Sequence, residues 1–224
     1  MRDDPPDSRT TRAVVLLSGG LDSAVALWWA LRRGWEVHAL AFDYHARPER
    51  ERRAAHRLAE AARVRLTAVP LPFLREAADL EAGPWTGNAA LADAPPGYVP
   101  ARNLVFYGIA SHAAEALGAT RVVGGHIGSD AETFGDASRA FFDGLKKLNA
   151  TGLWTGRARP LSFELPLKGL TKREVVALGV SLGVPFVATW SCYEDAAAPC
   201  GACPSCVERR GAFADVGVAD PALA

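Results

Sequence analysis

The sequence predicts an α/β fold, a parallel β-sheet covered by helices on both faces, followed by a small segment organised by cysteines. Three observations carry this. Short apolar runs alternate with longer helix-like stretches through the first third of the chain, in the manner of βαβ units. The first apolar run stops on a hydroxyl, two glycines, an acid and a second hydroxyl before a helical pattern begins. All four cysteines fall between Cys192 and Cys206.

The start, MRDDPPDSRTTR, is polar and proline-rich with no apolar signal core behind its charges, so residues 1–12 are expected to form a disordered tail of a cytosolic protein. Ala13–Leu17 reads as a buried strand and Ser23–Arg33 as a helix stopped by Gly34. Glu36–Asp43 is a second strand, Glu49–Arg63 a charged helix and Val64–Pro70 a third strand. The pattern breaks between Pro70 and Pro100, a proline-rich stretch of the length that functional or mobile loops have. A helix follows at about Asn103–Leu117, a strand at Arg121–Gly125, a loop through Gly135 and a helix at about Ala137–Ala150. Pro160–Pro166 is short and strand-like. Thr171–Leu182 opens with Thr171 three residues before Glu174, a capping-box pattern. The division expected is a body over 13–190 and a metal-binding segment over 191–224.

Composition narrows the classes. Of the 224 residues 49% are hydrophobic and 22% charged, a globular balance that affords a core of normal size. Formal net charge is zero, which argues against a nucleic-acid-coating surface, and no nucleic-acid partner is expected. No apolar window approaches the roughly 18 residues of a membrane span.

The loop Ser18-Gly19-Gly20-Leu21-Asp22-Ser23, set between strand and helix, has the chemistry of an anion site. Glycines let the backbone turn sharply and come close to a ligand. Free N–H groups at the helix start attract phosphate, and Ser18 and Ser23 add hydroxyl donors. The lysine of the Walker pattern is missing. An acid inside a phosphate loop repels its ligand unless a cation intervenes, so Asp22 points to Mg²⁺ bound with a nucleotide. The plain alternative is a Gly-Gly turn capped by Asp22 or Ser23.

Cys192, Cys200, Cys203 and Cys206 give the spacing C-x7-C-x2-C-x2-C. Four thiolates on short loops suit tetrahedral Zn²⁺ and leave no open position, so the site is expected to be structural. Iron–sulfur clusters also use C-x2-C-x2-C, but nothing else in the chain suggests electron transfer.

The loop resembles the pyrophosphate loop of the N-type ATP pyrophosphatases. With ALAFDY (Ala39–Tyr44), YVPARN (Tyr98–Asn103) and LGVPFVATWSCYEDAAAPCGACPSC (Leu182–Cys206) downstream, the chain from about Ala13 to Phe213 resembles the 7-cyano-7-deazaguanine synthase family. That resemblance implies a Rossmann-like domain of the adenine nucleotide alpha hydrolase type with a small C-terminal zinc-binding segment. It implies an ATP-dependent carbon–nitrogen ligase that adenylates a 7-deazaguanine carboxylate, admits ammonia to form an amide, and adenylates the amide to reach the nitrile. By the same resemblance the chain forms a homodimer. ATP would be bound by Leu17, Ser18, Gly19, Gly20, Leu21, Asp22, Ser23, Ala24, Val25, Ala26, Leu27 and Phe42. Catalysis would fall to Ser18, Asp22, Ser23, Arg102 and Lys172, with Lys168 a rival for the last role. The acid would meet Arg102, Asn103, His126, Asp130, Asp136 and Arg139, with Glu132 and Ser138 nearby.

The chain departs from the family pattern in three places. His45-Ala46-Arg47-Pro48 stands where Gly-Gln-Arg-His is common, Ala101 replaces a glycine, and His126–Phe142 replaces the usual DYSGYPDCR region. These departures leave open a relative that stops at the amide or couples the acid to another amine. A tRNA-modifying pyrophosphatase and a zinc-ribbon interaction module are the more distant readings.

Overall fold

The computed structural model describes residues 10–222 apart from Ala46, Pro84, Thr86, Pro96 and Ser129. Residues 1–9 of the expected tail, and Ala46 of the departing stretch, lie outside the described residues. Five strands form one parallel sheet: β1 (Arg12–Leu16), β2 (Glu36–Tyr44), β3 (Arg65–Leu71), β4 (Arg121–Val123) and β5 (Ser162–Glu164), in the spatial order β3-β2-β1-β4-β5. The helices are α1 (Leu21–Arg32), α2 (Glu49–Ala62), α3 (Arg102–Leu117), α4 (Asp130–Thr133), α5 (Arg139–Gly152), α6 (Lys172–Leu182) and α7 (Pro204–Val216). Among the described residues no helix is long and apolar enough to cross a membrane.

Successive strand residues point to opposite faces, and here both faces are covered, which is why the strands read as unbroken apolar runs. Ala13, Val15, Leu17, Ala39, Ala41 and Val123 pack on one side with Ala24 and Val25 of α1, Leu58 of α2, Val175 of α6 and Phe213 of α7. Val14, Leu40, Phe42 and Val122 pack on the other with Tyr107 and Ala110 of α3 and Phe142 and Leu145 of α5. The order of chain travel reverses between β1 and β4, and in open parallel sheets the crevice at that reversal, outside the carboxyl ends of the strands, is where ligands bind.

Several boundaries differ from expectation for local reasons. The helix expected from Ala137 starts at Arg139, because Gly135–Ala137 closes a 3₁₀ turn and Ser138 becomes the cap, its hydroxyl accepting from the Phe141 N–H at 3.2 Å. The capping box at α6 forms as expected, with Thr171 and Glu174 bonding reciprocally. Within Pro70–Pro100 lie two short 3₁₀ turns, Ala77–Ala82 and Ala89–Leu91. Helix α7 was not legible, and its Pro204 occupies the first turn, where a missing N–H costs nothing. At the sheet's edges, β3 carries Arg65 and Pro70 and is half exposed, while β5 is three residues long between Pro160 and Pro166.

Candidate active site and metal centre

A cavity of about 340 Å³ opens at the reversal point, lined by Leu17, Ser18, Gly20, Asp22 and Ser23 after β1 and by Gly124, Gly125, His126 and Asp130 after β4. The loop from Ser18 to Ser23 is held in its binding shape by its own hydroxyls. Ser18 Oγ and Ser23 Oγ lie 3.1 Å apart, Ser23 Oγ donates to Gly20 O at 2.9 Å, and Gly20 N donates to Ser18 Oγ at 3.2 Å. Gly19 has φ +100°, and a Cβ there would meet the Glu51 carbonyl oxygen at 2.3 Å. The backbone of α2 therefore lies directly on the loop, and only glycine fits between them.

Arg47 is the residue sequence reasoning missed. Its side chain is 3% exposed, its guanidinium donates to the carbonyl oxygens of Phe42 and Ser18, and its Nε donates to Glu51 at 3.1 Å. It locks the end of β2 to the phosphate loop. Its position inside the departing stretch hid it. Burial pushes the Glu51 carboxyl up, with Arg47 opposing.

Lys172, the first residue of α6, reaches Asp22 with Nζ 2.8 and 3.0 Å from the two carboxylate oxygens and 3.3 Å from Glu208. Burial works against its charge, but the two acids outweigh this and hold the ammonium above the usual lysine range. Burial likewise pushes the Asp22 carboxyl up, against the pull of Lys172. Lys168 is exposed, so Lys172 is the lysine brought to the loop.

Phe42 forms an aromatic wall with Phe106, stacked at 4.2 Å and 16°, beside Tyr44. Arg102 and Asn103 open α3 on the same wall. They are placed there by Ala101, whose φ of 55° is left-handed. A methyl-bearing residue is strained in that conformation, so Ala101→Gly is expected to stabilise the fold by about 1 kcal/mol. The expected signature is a melting temperature about 2–4 °C higher in a calorimetric scan; an unchanged or lower one would contradict it.

Not every expected residue faces the cavity. Leu21, Ala24, Val25, Ala26 and Leu27 are packed into the core beneath the loop and do not line the cavity. Gly19 is turned toward α2. Asp136 is consumed by Asn103: its carboxylate accepts the Asn103 backbone N–H at 3.1 Å and the side-chain amide at 3.2 Å, which caps α3. Arg139 stands 87% exposed beside Asp143, one turn along α5. Glu132 is exposed, and Ser138 is the cap of α5. Of the base-pocket candidates His126 and Asp130 remain, with His126 Nδ1 3.7 Å from Asp130 and the Asp130 carboxylate accepting the Ile127 N–H at 2.9 Å. Burial resists the Asp130 charge, but these two contacts and Lys172 hold the carboxyl below the usual range.

The four cysteine sulfurs lie within 4.8 Å of one another. Tetrahedral zinc, with bonds of about 2.3 Å, requires sulfurs roughly 3.8 Å apart, so small side-chain adjustments suffice. Backbone N–H groups already turn toward the sulfurs: Glu194 and Cys200 donate to Cys192, and Ala202 and Cys203 to Cys200. Those of Ala202 and Cys203 draw the Cys200 thiol down to about 6, whereas burial and the adjacent Cys203 push Cys206 up to about 12. A cation is what lets all four be thiolates together, and the cluster can hold a metal.

This segment is tied to the phosphate loop. Trp190 N donates to Gly19 O at 2.9 Å, and Trp190 packs with Ala54, Cys192 and Cys206. Arg209 of α7 is 4% exposed and pairs bidentately with Asp220 at 2.6 and 2.9 Å, while also donating to Thr189 Oγ1 at 2.7 Å and Ser191 Oγ at 3.2 Å.

A family model described as "Queuosine biosynthesis protein QueC" matches residues 12–217. A 7-cyano-7-deazaguanine synthase of Anaeromyxobacter sp. (strain Fw109-5) is 41% identical, over 96% of each chain. One from Thermoplasma acidophilum is 36% identical, over 94% of this chain and 90% of its own. The solved structure of NMN synthetase from Francisella tularensis superposes with a TM-score of 0.53 at 19% identity, covering 96% of this chain and 82% of that one, a likeness of fold.

Proposed function

The chain belongs to the QueC family of queuosine biosynthesis proteins, and from that premise we propose that it converts 7-carboxy-7-deazaguanine, ammonia and ATP into 7-cyano-7-deazaguanine. The observation that carries this reading is one cavity that joins the Ser18–Ser23 loop to a second wall after β4. A nucleotide and an acid can then lie side by side, with the acid's oxygen facing the α-phosphorus.

ATP lies with its base against Phe42 and its phosphates on the loop, whose N–H groups and hydroxyls are already aimed and need no reorganisation. Arg102 and Lys172 take up negative charge on the phosphates. Asp22 would hold Mg²⁺ together with the nucleotide, and the cation would supply neutralisation of phosphate charge. Lys172 exchanges its pairing with Asp22 for a phosphate oxygen. A carboxylate oxygen attacks the α-phosphorus and pyrophosphate leaves with the bonding pair. Ammonia then forms a C–N bond, AMP departs and nitrogen loses a proton, leaving the amide. The amide oxygen attacks a second ATP, and loss of AMP and two N–H protons gives the nitrile. Cys192, Cys200, Cys203 and Cys206 would hold zinc apart from these steps, where it would stiffen the segment that braces the loop. The partners we propose are ATP, the acid and ammonia, with no nucleic acid, and the proposed assembly is a cytoplasmic homodimer.

The test is incubation with 7-carboxy-7-deazaguanine, ammonium and excess ATP, followed by mass spectrometry and nucleotide chromatography. Nitrile, with AMP and pyrophosphate formed twice per acid, is expected. ADP as the nucleotide product would contradict the reading. A halt at the amide after one ATP would make the enzyme an amide-forming relative.

A further inference from the structure

Tyr107 is completely buried, yet its hydroxyl has no hydrogen-bond partner among the described residues. A buried polar group left unpaired costs roughly 1–3 kcal/mol, and such groups are rare enough to need a reason. The ring is fixed from several sides, edge-on against Phe142 at 4.9 Å and Phe163 at 5.7 Å, with His126 at 5.7 Å. The hydroxyl is thereby driven against Gly124, so close that a Cβ on that glycine would lie 1.8 Å from it. Tyr107 and Gly124 both line the cavity.

The position of this hydroxyl says what it can meet. It lies at the carboxyl end of β4, on the wall of the cavity that adjoins the phosphate loop. The next residue, Gly125, abuts the Asp22–Ser23 backbone, a Cβ there lying 3.0 Å from Asp22 C and Ser23 N. An acid whose oxygen is to reach the α-phosphorus has to occupy that side of the crevice. Resting on the proposed function, we propose that Tyr107 is a substrate-contacting residue whose hydroxyl donates a hydrogen bond to a carboxylate oxygen of the bound acid. Burial, with the Asp130 charge behind it, pushes the phenol pKa up, so the group stays a neutral donor. As ammonia adds and the acyl oxygen gains negative charge, the same hydrogen bond strengthens, which is the condition for a contact to accelerate a reaction.

Tyr107→Phe separates this role from a structural one, because the two predict opposite outcomes. Removing an unpaired buried hydroxyl leaves the ligand-free fold as stable as before or more so. The kcat/KM for 7-carboxy-7-deazaguanine is expected to fall about 10- to 100-fold, with KM for ATP unchanged and the ligand-free melting temperature not lowered. Wild-type kinetics in the variant would overturn the proposal, as would equal losses toward ATP and acid, or a melting temperature lowered by several degrees. A wild-type enzyme that makes no use of the acid would overturn the proposed function and this contact with it. A wild type that uses it beside an indifferent variant would count against the hydroxyl alone.

Discussion

Asp22→Ala is expected to give a folded protein whose production of AMP is lower by about three orders of magnitude. Asp22 is the one carboxylate in the phosphate loop, and without it nothing in the loop holds a cation on the phosphates. The fold should tolerate the change. Burial already disfavours the Asp22 charge, a partly exposed ion pair contributes up to about 1 kcal/mol, and Lys172 keeps Glu208 at 3.3 Å. Lys172→Met should be the harsher change for stability, since it leaves Asp22 facing Asp130 and Glu208 with its cation gone. Nucleotide chromatography beside thermal melts of both variants checks this. An Asp22→Ala enzyme retaining more than a tenth of wild-type turnover, or releasing ADP, would contradict the assignment.

Removing the metal should be as damaging by a different route. One tightly held zinc per chain is expected by elemental analysis. Zinc sites in small peptides supply on the order of 10 kcal/mol, comparable to the whole net stability of a domain. Stripping it should therefore melt the segment from Ser191 onward. The loss should reach ATP binding, because Trp190, two residues before Cys192, donates its N–H to Gly19 of the phosphate loop. Cys192→Ser and Cys206→Ser should be worse than Cys200→Ser, since the first two are buried and the last is exposed. Circular dichroism with a titration of ATP affinity reads both effects. Iron in place of zinc, or a metal-free protein with intact structure and unaltered ATP affinity, would refute the role.

What could be read from the chain alone was whatever one element decides by itself. The apolar strands, the hydroxyl-glycine-acid loop, the α6 capping box and the cysteine spacing each carry their signal within one short continuous stretch of the chain. What could not be read depends on partners far away in sequence. Helix α7 stayed hidden because the side it buries consists of Cys206, Arg209, Ala212 and Phe213, two of which do not look apolar. Arg209 is buried only because Asp220 meets it. Asp136 looked like a ligand for a base until Asn103, from another helix, took its carboxylate. Arg47 and Tyr107 belong to elements whose local pattern assigns them to a surface turn and a helix interior. Their place at the cavity comes from how α3 and the end of β2 cross the sheet.

The two ends of the sheet bear on how copies of the chain can meet. A bare strand edge is an adhesive, since its free N–H and C=O groups accept any extended segment, including the same strand of another molecule. Here one edge is β3, interrupted by Pro70 and carrying Arg65, and the other is β5, three residues between two prolines. Pro70 removes a donor from one edge and β5 presents only three residues at the other, so both edges are blunted. Growth of the sheet from molecule to molecule is thereby disfavoured at both sides.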